Sequence, residues 1–163
     1  MLKWILKHEI SYLLHEIMEH IKSFARYVFK SLGAGFSERV YHNAMEVLLK
    51  KHNVGFLTEH IIPVIFEGTK VGDVRADLVI EGKVVVELKA VGNVKDKHMT
   101  QCLMYMKLLK IQSGIVINFP QSDDEEVDFE EISLGTTCNR CGRDSHNEST
   151  CYAKTHIDGS RNI

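Results

Sequence analysis

Residues 73–90, Asp-Val-Arg-Ala-Asp-Leu-Val-Ile-Glu-Gly-Lys-Val-Val-Val-Glu-Leu-Lys-Ala, decide how the rest of the chain is read. Two alternating stretches, 73–80 and 83–90, flank Glu81-Gly82, the pattern of paired β-strands. On the first, Val74, Ala76, Leu78 and Ile80 share one face and Arg75, Asp77 and Val79 the other. On the second, Val84, Val86, Leu88 and Ala90 form the apolar face, leaving Val85, Glu87 and Lys89 opposite. Only one parity of register sends both apolar faces into a common core. A loop of Ile80 to Gly82, with Gly82 left-handed, satisfies it, pairing Asp77 with Val85 and setting Glu87 diagonal to Asp77. Asp77, Glu87 and Lys89 then converge on one face.

Working outward, 54–66 is a further β stretch rich in branched residues, bounded by glycines from the second. Before it, apolar residues recur at helical spacing from about Ile5 to Leu32 (Ile10, Leu13, Leu14, Ile17, Ile21, Phe24, Val28) and again from Val40 to Leu49. Gly33 and Gly35 separate these helices, and Ser37 stands where a cap belongs. Residues 96–110 return to helical spacing, and 113–118 read as a short strand before Pro120. The order ααβββαβ implies an α/β domain over 1–121 with a mixed sheet flanked by helices. Residues 122–137 read as an acidic linker, 138–152 as a small module and 153–163 as a flexible tail.

The length of 163 residues allows one sizeable core and little more. Apolar residues at 44% and charged residues at 26% exclude collagen-like, wholly disordered and disulfide-scaffold classes. The net charge of −2 hides an asymmetry: residues 1–121 hold 16 bases against 12 acids, whereas 122–131 (SDDEEVDFEE) hold seven acids and no base. A weakly basic core permits phosphate contact without demanding it. No apolar run approaches a membrane span and no signal peptide opens the chain, so the expectation is a cytoplasmic or nuclear protein, neither secreted nor at a membrane.

Two carboxylates and a lysine on one sheet face suit Mg²⁺, which takes one or two carboxylates and keeps waters and phosphate oxygens in its shell. Such an ion lowers the pKa of a bound water and neutralises charge building on phosphorus, while the ammonium steadies hydroxide or phosphate. A surface hairpin carrying an ordinary Glu–Lys pair has the same bare pattern. Further residues narrow the choice. Gly35-Phe-Ser-Glu38-Arg-Val-Tyr41, then RADLVIEGKVVVELKA, then HMTQCLMYMKLLK, resemble in order the GxxExxY proteins, a branch of the PD-(D/E)XK nuclease superfamily.

The resemblance spans about residues 10–120 and implies the restriction-endonuclease-like fold and metal-dependent phosphodiester hydrolysis, or a scaffold that keeps the fold without turnover. By it, Asp77 and Glu87 look like metal ligands, Lys89 the catalytic lysine and Glu38 the assisting helix glutamate. Gln101 and Tyr105 match a glutamine and tyrosine of the helix after the core hairpin, Gln101 to orient Lys89 or touch the backbone, Tyr105 on the substrate side. Helical spacing alone places both with His98 on one face. Plain readings stand beside these: an acid favoured at a helix start for Glu38, core packing for Tyr41 and Cys102, sheet-edge cover for Gln101 and Tyr105.

Cys138, Cys141, His146 and Cys151 read C-x₂-C-x₄-H-x₄-C, four ligands for tetrahedral Zn²⁺ with no position left for a catalytic water. The spacing is similar to the CCHC zinc knuckle, which implies contact with exposed bases of single-stranded DNA or RNA. Asn139 stands where an aromatic is usual, which weakens stacking, while Arg140 and Arg143 offer phosphate contacts. Protein binding is the other use of a knuckle with so polar a face.

Overall fold

The computed structural model describes residues 2–134. The chain divides into compact units 1–132 and 133–163, and the architecture below is that of the first. Helix α1 (Leu2–Leu32) and helix α2 (Glu38–Lys51) precede strands β1 (Phe56–Phe66), β2 (Thr69–Ile80) and β3 (Val84–Lys89). Helix α3 (Asp96–Leu109), β4 (Ser113–Asn118) and β5 (Asp128–Ser133) follow. The strands form one sheet in the order β1-β2-β3-β4-β5. The β1–β2 and β2–β3 pairs are antiparallel; β3 and β4 are parallel, as the crossover through α3 allows. The expected α/β fold with a mixed sheet between helices is therefore the fold observed.

Helix α1 runs without a break because neither glycine nor proline interrupts it, and it ends at Gly33. That residue takes φ +78°, and its N–H bonds the Phe29 carbonyl at 2.8 Å, a left-handed cap that a side chain would strain. Met18, Ile21, Ala25 and Val28 form the buried stripe of α1, and Tyr41, Met45, Leu48 and Leu49 that of α2. Together they cover Leu78, Ile80, Val84, Val86, Leu88, Ile115 and Ile117 of the sheet. Each such side chain contributes about 1.5–3 kcal/mol of burial.

Helix α3 covers the other face through Cys102, Tyr105 and Met106. It seats directly on Gly114, where an added Cβ would lie 2.5 Å from Met106 Sδ and 3.0 Å from Cys102 Sγ. Strand β3 is thus buried on both faces: Val85 and Glu87, expected on an open polar face, are 0% exposed.

Two further differences from the sequence reading are physical. Ile80 pairs with Val84, Val79 with Val85 and Leu78 with Val86, so the loop is Glu81-Gly82-Lys83 rather than Ile80 to Gly82. Glu81 and Gly82 are both left-handed (φ 53° and 61°), and the Lys83 N–H closes the turn on Ile80 at 2.9 Å. Two left-handed residues match the strand twist, and the two-residue shift keeps every side chain on its face. Second, within the run expected to be an acidic linker, Asp128–Ser133 forms edge strand β5. The run is not a free tether: Glu131 pairs with Lys22, Arg26 lies 4.8 Å over the Phe129 ring, and Val127, just before the strand, enters the core.

Candidate active site

Asp77 stands where β2 loses regular pairing on both sides. Toward β3 the ladder stops at Leu78↔Val86; toward β1 it passes from Thr58↔Leu78 to His60↔Ala76, skipping Glu59, whose φ is 46°. The half-buried Asp77 carboxylate takes over from the missing ladder, Oδ2 accepting the Leu88 N–H at 2.8 Å. That bond brings Asp77 against the segment of β3 that carries Glu87 and Lys89.

Glu87 is wholly buried. Its Oε1 accepts from Lys89 Nζ at 2.6 Å, and among the described residues its Oε2 has no hydrogen-bond partner. Burial first, then the neighbouring Asp77 charge, push the carboxyl up to about 7, against the pull of Lys89. An orphaned oxygen on a buried acid costs about 1–3 kcal/mol or more, which a fold keeps only where something else meets the oxygen.

The Lys89 ammonium is 11% exposed, donates also to the Leu88 carbonyl at 2.9 Å and lies 3.7 Å from Glu38 Oε2. Burial pulls its pKa down, but Glu87, Asp77 and Glu38 outweigh that and leave it raised, so Lys89 is a cation at neutral pH. Glu38 is half-buried, at the first position of α2, and burial raises its carboxyl, with Asp77 adding to the shift against Lys89.

What fixes these groups comes from segments distant in sequence. The Phe119 N–H bonds the Lys89 carbonyl at 2.8 Å, and the Asn118 side chain clasps the Val91 backbone N–H and C=O at 3.0 and 2.9 Å. The Phe119 ring stacks on Tyr41, centroids 4.2 Å apart and planes 3° from parallel, and the Tyr41 hydroxyl donates to the Gly33 carbonyl at 2.8 Å. The next N–H, of Ala34, bonds Asp123 Oδ1 at 2.6 Å. The turn that delivers Glu38 is therefore held from both sides. Sequence reasoning misses Asn118, Phe119 and Asp123. The one local signal is a polar Asn closing an otherwise apolar strand.

On α3, His98, Gln101 and Tyr105 share a face as their spacing requires. Gln101 Nε2 donates to the Tyr105 hydroxyl at 2.8 Å, while the Lys89 ammonium donates to Glu87 and the Leu88 carbonyl and not to Gln101. His98 Nδ1 accepts the Lys95 N–H at 3.2 Å, closing the helix start. Burial lowers the His98 pKa, with Lys89, Lys97 and Lys95 adding to the effect. Cys102 is fully buried, its thiol pushed up to about 12 by desolvation first and by Glu87 second, so it is inert packing. Among the described residues no three His, Cys, Asp or Glu side chains stand together as a ready-made cation cage. Two carboxylates with one unpartnered oxygen do fit a hard ion that keeps most of its waters. Cys138, Cys141, His146, Cys151, Arg140 and Arg143 lie outside the described residues.

With this geometry in hand, comparison with known proteins gives a family. The family model of the PD-(D/E)XK nuclease superfamily matches residues 15–130, most of the chain and all of the site above. The protein belongs to that superfamily. Among solved structures the chain is similar to "Crystal structure of SSO0001", at 25% identity and a TM-score of 0.47, over 59% of this chain and 50% of that one. It thus spans about half the length of that relative. No curated protein matches. Among the described residues no helix is long and apolar enough to cross a membrane.

Proposed function

We propose that the chain hydrolyses phosphodiester bonds of DNA or RNA with Mg²⁺ held by Asp77 and Glu87. The observation that carries this is the buried Glu87 Oε2 near the Asp77 charge, which among the described residues has no hydrogen-bond partner. When bound, Mg²⁺ supplies Lewis acidity and a water acidified enough to lose a proton near neutral pH. Lys89, held protonated by its carboxylate neighbours, cannot take that proton; it steadies the attacking hydroxide and the charge growing on the phosphate oxygens. Glu38, with its raised pKa and its place 3.7 Å from Lys89, assists as the proton acceptor. The new P–O bond forms as the bond to the leaving oxygen breaks, and that oxygen leaves with a proton from solvent. Tyr105, buried against the sheet, reaches the substrate side only through the Gln101 amide that its hydroxyl holds.

Within the superfamily the GxxExxY branch is the finer reading, supported by Glu38 standing 3.7 Å from Lys89 and by Tyr41, whose hydroxyl holds the turn before Glu38. The second module would bind structural Zn²⁺ through Cys138, Cys141, His146 and Cys151 and hold single-stranded nucleic acid, with Arg140 and Arg143 on phosphates. Linking two weak sites raises overall affinity without new contacts.

A second reading, a nucleic-acid-binding or protein-interaction module without turnover, is favoured by one observation: Lys89 already satisfies Glu87 Oε1, and no third acid completes a cage among the described residues. One experiment separates the two. Single- and double-stranded substrates are incubated with Mg²⁺ or Mn²⁺ and native protein, Asp77→Ala or Lys89→Ala. Hydrolysis falling at least 100-fold in both variants supports the nuclease; equal rates in all three assign the activity to a contaminant.

A further inference from the structure

The acidic centre of the site needs cations at its rim. Asp77, Glu87 and Glu38 surround a single ammonium, that of Lys89, so a phosphodiester backbone approaching the metal-free site meets net negative charge. Lys95 and Lys97 stand exposed at the start of α3. On the β2 side the cation is Arg75. Two residues before Asp77 on the same strand, it shares the Asp77 face by the alternation of the strand, and its guanidinium side chain is 61% exposed.

Arg75 is not left loose. Its Nη1 donates to Glu59 Oε2 at 3.2 Å, and Glu59 is the residue opposite Asp77 at which the β1–β2 ladder skips. Glu59 adopts φ 46°, a left-handed backbone that is unfavourable for a residue with a side chain. An ion pair as exposed as this one returns little, less than the strain costs, so the pair does not account for the strain as a stabilising device. Strain beside an active site points to function. The bent backbone sends a carboxylate across to Arg75 and ties the guanidinium on the strand face that carries Asp77.

We propose that Arg75 is a binding residue for a backbone phosphate flanking the scissile one, and that Glu59 holds its guanidinium in place until nucleic acid displaces the carboxylate. A guanidinium fork suits a phosphate better than an ammonium does, since it engages two oxygens at once. The exchange favours the phosphate, because the exposed pair with Glu59 rests on a single 3.2 Å bond whereas a phosphate offers the fork two oxygens. The proposal rests on the nuclease reading for what is cut, but the phosphate contact itself does not require cleavage.

The test uses the full chain and a fluorescent single-stranded oligonucleotide, with a duplex of the same sequence, measured by anisotropy over a salt series without added divalent metal. Arg75→Ala weakens binding about tenfold, as expected for one charge-assisted bond. It also lowers the slope of log K against log salt by about 0.7 for the single strand or about 0.9 for the duplex. Arg75→Lys keeps the slope and loses part of the affinity. Glu59→Gln binds more tightly than native protein. Native affinity and slope in Arg75→Ala, weaker binding in Glu59→Gln, or no oligonucleotide binding by native protein would each overturn the proposal. Cleavage with Mg²⁺ is scored separately. A native protein whose binding depends on Arg75 but which cuts nothing sinks the nuclease reading alone; one that cuts, with Arg75→Ala binding as native, sinks the phosphate contact alone.

Discussion

Replacing Glu87 by glutamine removes a negative charge from a fully buried position while keeping the shape of the side chain and one oxygen for Lys89. Burial and the Asp77 charge raise this carboxyl from 4.5 to about 7 in the folded protein. The folded state therefore binds more protons than the unfolded chain between those values. Stability from Glu87 is fully present below about pH 4.5 and is lost as pH rises toward and through 7. Because a tenfold change in proton affinity is worth about 1.4 kcal/mol, native protein loses on the order of 2 kcal/mol between about pH 5 and pH 8 through this one group. Glu87→Gln has no such loss. Urea unfolding of both proteins, followed by circular dichroism at pH 5 and pH 8 without added divalent metal, measures it directly. The stability of the variant relative to native should rise by about 2 kcal/mol from the lower to the higher pH. Added Mg²⁺ at pH 8 should stabilise native protein and leave the variant unmoved. A stability difference that stays constant from pH 5 to pH 8 would refute the claim that Glu87 is held as a destabilised buried acid.

Other expectations concern the parts that hold the site. Gly114→Val drives a side chain into Met106 and Cys102 and should cost about 1–3 kcal/mol or more, read as a lower urea midpoint. Tyr41→Phe removes one hydrogen bond and keeps the stack on Phe119, so it should lose about 1 kcal/mol; Phe119→Ala removes the stack and should lose about 3–5 kcal/mol. Val127→Ala, in the stretch leading into β5, should lose about 1–2 kcal/mol, whereas a solvated tether would lose nothing. Cys141→Ser should cut the zinc content of purified protein below one equivalent, measured by metal analysis, with little change in the unfolding of residues 1–132.

Much of this is legible in the sequence because it is local. The stripe Met18, Ile21, Ala25, Val28 repeats at helical spacing, and the alternation through 74–80 and 84–89 fixes which side chains share a face. Parity also explains why the hairpin register can be two residues off while Asp77, Glu87 and Lys89 still converge. What cannot be read is long-range. Strand β5 is hidden because its charges dominate a short strand, and their partners, Lys22 and Arg26, lie about a hundred residues earlier. The burial of Glu87 is invisible because it depends on α3 closing over a face that the hairpin alone leaves open. Asn118 and Phe119 act on Val91 and Lys89 across the parallel pair, a contact no periodicity announces.

The aromatic pair Tyr41 and Phe119 acts as a strut. One end is bonded to the turn before Glu38 and the other, through the Phe119 backbone, to the carbonyl of Lys89. The two sides of the centre that carry those groups are braced into a single jaw. The β1–β2 ladder, by contrast, is interrupted where Glu59 stands opposite Asp77, so a displacement at the centre is taken up on that side.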